Sequence, residues 1–121
     1  MEPKITVKQD YILVEPKEGV DFREIRRGIA RLIYVPEIRD KNDIWVLREG
    51  LGKLFHDDLY KLRDLIKEIH PKDSTAIKTA LVVEPELQSS MEEAFIQIAE
   101  DLPHEFRVFS SLQEAETWVT A

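Results

Sequence analysis

The stretch Thr79-Ala80-Leu81-Val82-Val83-Glu84, "TALVVE", decides how the rest of this chain is read. It is a nearly continuous apolar run of strand length, rich in β-branched residues. Alternation is lost when both faces of a strand are covered, so the run predicts a strand in the middle of a sheet that carries helices. Working outward, helical and strand periodicities alternate on both sides of it. Downstream, Leu87, Met91, Phe95, Ile98 and Leu102 recur at helical spacing up to Pro103, with Ser89 and Ser90 as capping residues near the start. "FRVF", Phe106 to Phe109, then reads as a strand. Ser110 with Gln113, or Ser111 with Glu114, is placed to cap a last helix carrying Leu112, Ala115 and Val119.

Upstream, "IWVLR", Ile44 to Arg48, reads as a strand preceded by the polar connection "RDKND". Between it and "TALVVE" lies an apolar stripe of Leu59, Leu62, Leu65, Ile66 and Ile69, stopped by Pro71. Asp21 and Glu24 form a capping box ahead of Phe22, Ile25, Ile29, Leu32 and Ile33, which predicts a helix over about Phe22 to Tyr34. Gly28 inside that helix implies a close neighbour or a bend. The first two runs, "KITVK" (Lys4 to Lys8) and "YILVE" (Tyr11 to Glu15), are separated only by Gln9 and Asp10 and predict a hairpin. The resulting order is ββαβαβαβα: an α/β layered domain over residues 1–121, with a mixed, mostly parallel five-stranded sheet and about four helices. The first strand is expected to run antiparallel to its partner.

The chain has 121 residues, a formal net charge of −7 and no cysteine. Its length fits one compact domain. The acidic balance argues against general nucleic-acid binding, which depends on Lys and Arg neutralising phosphates. Lack of cysteine excludes disulfides, thiolate nucleophiles and thiolate metal sites. No apolar run approaches the ~18–20 residues of a membrane span, and "MEPKITVKQD" lacks the apolar core of a secretion signal, so a cytoplasmic location is expected. The edge strand "KITVK" leaves a homodimer open, although its lysines guard against uncontrolled pairing.

Ligands of open α/β sheets gather beyond the carboxyl ends of the parallel strands. That rule singles out the loop holding Arg48, Gly50, Gly52, Lys53, His56, Asp57 and Asp58. "REGLGK" lacks the third glycine of a dinucleotide fingerprint and the spacing of a P-loop, so its glycines are read as turn formers. His56, Asp57 and Asp58 are acid/base residue types, but adjacent carboxylates at a helix start are what capping and the helix dipole favour. His56, His70 and His104 lie far apart in sequence, and no metal or cofactor is expected. Arg23, Arg26, Arg27 and Arg31 form a basic stripe, read first as a solvated helix face and otherwise as a patch for an acidic or phosphate-bearing partner. Trp45 and Trp118 are read as packing residues.

"WVLR" with its glycine loop and "DDLYKLRDLI", then "TALVVE", and above all "FRVFSSLQEAETWV", resemble the small bacterial SpoIIAA-like family of STAS domains, the anti-sigma-factor antagonist fold. That fold is also similar to CRAL-TRIO lipid-binding domains. The resemblance covers Ile44 to Val119 and implies fold more than activity. It implies a regulatory serine at the start of the helix after the third strand, on a surface that docks a partner. Here the matching segment is "LFHDDLY", without Ser or Thr and with Asp57 and Asp58 nearest the position. Val46 stands where the family's "WDLR" form has an acid. The resemblance therefore implies a non-enzymatic protein-interaction module lacking its usual phosphorylatable serine. The alternative it implies is a carrier or sensor of a small apolar ligand.

Overall fold

The computed structural model describes residues 4–15, 26, 30–31, 41–47, 64, 78–99 and 105–121. Within them lie β1 (Lys4–Val7), β2 (Tyr11–Glu15), β3 (Asn42–Val46), β4 (Lys78–Val82), α1 (Gln88–Ala99), β5 (Glu105–Phe109) and α2 (Leu112–Val119). A short 3-10 turn, Pro85–Leu87, joins β4 to α1. Of the helices expected before and after β3, Arg26, Ala30, Arg31 and Asp64 are helical and the remainder lies outside the described residues.

The five strands form one mixed sheet in the strictly consecutive order β1-β2-β3-β4-β5. β1 pairs antiparallel with β2, and β2 through β5 are all parallel. The two-residue hairpin at Gln9-Asp10 forms as expected, closed by the Lys8 N–H donating to the Tyr11 carbonyl at 2.9 Å. β4 is an interior strand, and its residues from Thr79 through Val83 are buried.

In register, Leu13, Ile44, Ala80 and Arg107 stand side by side, as do Val14 with Trp45 and Leu81 with Val108. Because side chains alternate across a strand, this register sorts the core into two layers. One layer holds Tyr11, Leu13, Ile44, Ala80 and Val82, covered by Ala115 and Val119 of α2 and bordered by Val46, Phe109, Leu112 and Trp118. The other holds Ile12, Val14, Trp45, Leu47, Leu81, Val83 and Val108, all buried.

α2 begins at Ser111, whose extended backbone and side-chain hydroxyl accepting from the Glu114 N–H at 3.4 Å make it the N-cap. Of the two caps that the sequence offers, this is the one used. Its other end is tied to the amino ends of β3 and β4. The Asn42 Nδ2 donates to the Val119 carbonyl at 2.7 Å, while its Oδ1 accepts from the Lys78 N–H at 2.8 Å. Lys78 Nζ donates to the Trp118 carbonyl at 3.2 Å, placing a cation at the negative end of the helix.

Two expectations need correction. β3 starts at Asn42 and ends at Val46, so Asn42 and Asp43 belong to the strand and not to the polar connection before it. Asn42 is held there by its two backbone partners. Ser89 and Ser90 are not caps: Glu84 precedes the turn, Pro85 opens it, and both serines fall inside α1. Proline is pre-organised for a first helical turn, so it moves the start ahead of the serines.

Candidate functional site

The carboxyl ends of β2 to β5 lie along one rim because these strands are parallel. The ladder is continued past the strand ends by the Leu47 N–H on the Val82 carbonyl at 2.7 Å and the Val83 N–H on the Phe109 carbonyl at 2.8 Å. Leu47 and Val83 are both buried, so the chain leaves the sheet there from fixed points. Arg48, Gly50, Gly52, Lys53, His56, Asp57 and Asp58, the residues the sequence reading places just beyond Leu47, lie outside the described residues. So do Arg23 and Arg27 of the basic stripe, and His70 and His104. Arg26 and Arg31 are exposed and helical.

Beside this rim, a groove of about 440 Å³ follows the outer side of β5. Gln88, Glu92 and Ile96 of α1 form one wall, Glu114 of α2 contributes to the other, and residues 106–109 make the floor. Ile96 is 63% exposed, an unusual position for a large apolar side chain. The Gln88 Nε2 donates to the Val108 carbonyl at 3.1 Å, which covers one polar group of this edge strand. The groove thus combines an apolar floor with two carboxylates and Arg107. The described residues that line it pair no nucleophile with a base. Among the described residues no three His, Cys, Asp or Glu side chains are grouped to hold a metal, and no helix is long and apolar enough to cross a membrane.

Trp118 is half-buried and stacked obliquely on Phe109, with ring centroids 5.8 Å apart. Lys78 Nζ and the Arg107 guanidinium lie 5.4 and 5.5 Å from its ring centroid, so two cations share one aromatic ring. This arrangement fixes the end of α2 against β4 and β5, in keeping with a packing role.

The group that sequence reasoning missed is Asp43. Its side chain is 5% exposed, with Oδ1 accepting from the Thr79 hydroxyl at 2.5 Å and Oδ2 facing the Trp45 Nε1 at 3.4 Å. Burial pushes its carboxyl up to about 6, against the smaller opposing pull of the hydrogen bonds from Thr79, Trp45 and its own backbone. A signal was present: Asp43, Trp45 and Leu47 alternate on one face, so a period-two reading carried back two residues would have put a carboxyl inside the sheet. A buried, shifted carboxyl marks a functional candidate in general. Here both oxygens are turned to neighbours within the sheet, which makes Asp43 part of the framework.

Compared with known proteins, the chain matches no family model, no curated protein and no solved structure.

Proposed function

We propose that this chain is a non-enzymatic interaction module of the SpoIIAA-like, STAS type that docks a protein partner with the segment from Gly50 to Asp58. The reading rests first on the sequence resemblance, whose most specific part, "FRVFSSLQEAETWV", folds as the continuous unit β5, Ser111 cap and α2. The observation that carries it is the place where β3 ends. Buried Leu47, fixed to Val82, delivers the chain to the rim where the parallel strands and the Pro85 turn also end.

The strand order supplies a second argument. Doubly wound sheets bind nucleotides in the crevice where strand order reverses, and this consecutive sheet has no reversal. A surface loop, not a crevice, is then the natural recognition element. Asp57 and Asp58 occupy the neighbourhood of the family's regulatory serine, so docking is constitutive: a carboxylate carries less charge than a phosphate and cannot be switched.

Affinity capture from the native host, with the whole chain as bait, tests this. The double substitution Asp57→Lys, Asp58→Lys is expected to weaken capture at least ~10-fold, because like charges facing each other across an interface are strongly penalised. Retention of every captured partner by this variant overturns the docking surface.

A second reading, a carrier of a small apolar ligand resembling CRAL-TRIO domains, is favoured by the groove beside β5, whose volume of about 440 Å³ lies within the roughly 300–1,000 Å³ range of ligand pockets. Native mass spectrometry of freshly purified protein distinguishes the two. The interaction module is expected at the mass of the bare chain; a stoichiometric adduct lost on denaturation supports the carrier.

A further inference from the structure

We propose that the groove beside β5 is a binding site for a small amphipathic organic cation, with its ammonium head between Glu92 and Glu114 and its apolar tail along Ile96. α1 joins two parallel strands, so it runs back against them. Gln88, Glu92 and Ile96 are spaced by four and therefore share one face of this helix. The Gln88 amide on the Val108 carbonyl fixes the start of that face at the carboxyl half of β5. Ile96, two helical turns on, lies about 12 Å further along the axis, towards the amino end of the strand. Glu114, in the first turn of α2, belongs again to the carboxyl end of β5. The carboxylates of the groove thus lie towards one end and its exposed apolar side chain at the other.

Charge complementarity selects the occupant. Among the described residues, neither Glu92 nor Glu114 has a basic side chain as an ion-pair partner, and the Glu92 carboxylate is met by a long hydrogen bond of 3.4 Å from the Gln88 amide. Arg107, the cation of the lining, is held over the Trp118 ring, 5.5 Å from its centroid. Two carboxylates therefore line the groove without a counter-ion, and a cation brought by the ligand supplies one. Ile96, 63% exposed, is an apolar wall that a hydrated metal ion would leave in water, whereas the hydrocarbon body of an amine covers it. An added peptide strand is the poorer occupant, because the Val108 carbonyl that it would pair with is already covered by Gln88. A volume of about 440 Å³ suits a small molecule.

This inference rests on the carrier reading of the groove and is independent of the Gly50–Asp58 docking surface. NMR titration of the full chain with hexylamine, hexanol and hexanoate, three head groups on one tail, tests it. The expected result at low salt is that hexylamine, protonated at neutral pH, binds at least ~5-fold more tightly than hexanol, and hexanoate most weakly, with the preference shrinking as salt is raised. The double substitution Glu92→Gln, Glu114→Gln is expected to remove the preference and leave hexanol binding unchanged, with circular dichroism reporting an intact fold. Ile96→Ala is expected to weaken hexylamine and hexanol alike. Binding of hexanol or hexanoate as tight as that of hexylamine overturns the cationic head and leaves the carrier reading in place. Failure of all three to bind at millimolar concentration overturns both. A preference for hexylamine that survives the double substitution also overturns the proposal, since it places the head group elsewhere.

Discussion

Ile44→Ala is expected to destabilise the protein by about 3 kcal/mol, within the ~2–5 kcal/mol that truncating a buried Ile or Leu costs. Ile44 is 0% exposed and sits in the middle strand, between Leu13 and Ala80, under Ala115 and Val119 of α2. Ala80 and Ala115 are small and cannot extend into the space left behind, so the cavity term is added to the lost transfer energy. Against the ~5–15 kcal/mol of a whole domain this is a large fraction. Urea unfolding checks it: the midpoint should fall with the slope unchanged. Ile96→Ala is the contrast. With 63% of Ile96 already in water, that substitution should stay within ~0.5 kcal/mol.

Asp43→Asn is expected to have the opposite sign at neutral pH. The Asp43 carboxyl rises from 3.8 to about 6 on folding, so the native state binds its proton more tightly than the unfolded chain does. Its contribution is therefore most favourable below about 3.8 and is lost as pH rises through about 6. Above that, the buried charge costs on the order of 3 kcal/mol. An asparagine imitates the protonated form. Its Oδ1 can accept from Trp45 while its amide donates to the Thr79 hydroxyl, which rotates to accept. The variant is expected to be more stable than the parent by ~1–3 kcal/mol at pH 7.5, with the difference shrinking towards pH 4.5. Paired denaturation curves over this range cancel the other titrating groups. A constant difference, or a less stable variant at pH 7.5, contradicts the assignment of burial as the dominant influence on Asp43.

The strands and the last helix were legible because their information is local. "YILVE" matches β2 residue for residue, "TALVVE" marks an interior strand, and the Ser111–Glu114 spacing locates the cap of α2. What failed was decided at a distance. Asn42 and Asp43 read as loop because Asn and Asp are depleted in strands. They are strand residues because their partners, Lys78, Thr79 and Val119, come from more than thirty positions away. The consecutive strand order likewise depends on contacts that no local pattern encodes. The β5 groove was invisible for a related reason: Gln88, Ile96, Phe106 and Glu114 converge from three elements, each with an ordinary local pattern. The rim beyond Leu47 was the place the sequence chose, and its residues from Arg48 to Asp58 lie outside the described residues.

The most direct test of the docking account is a hydrogen-exchange footprint of the full chain, alone and with a partner captured from its host. Protection confined to the segment from Gly50 to Asp58 and the residues that follow it is the expected result. Protection over the β5 groove, with Gly50 to Asp58 exchanging as in the free chain, contradicts it.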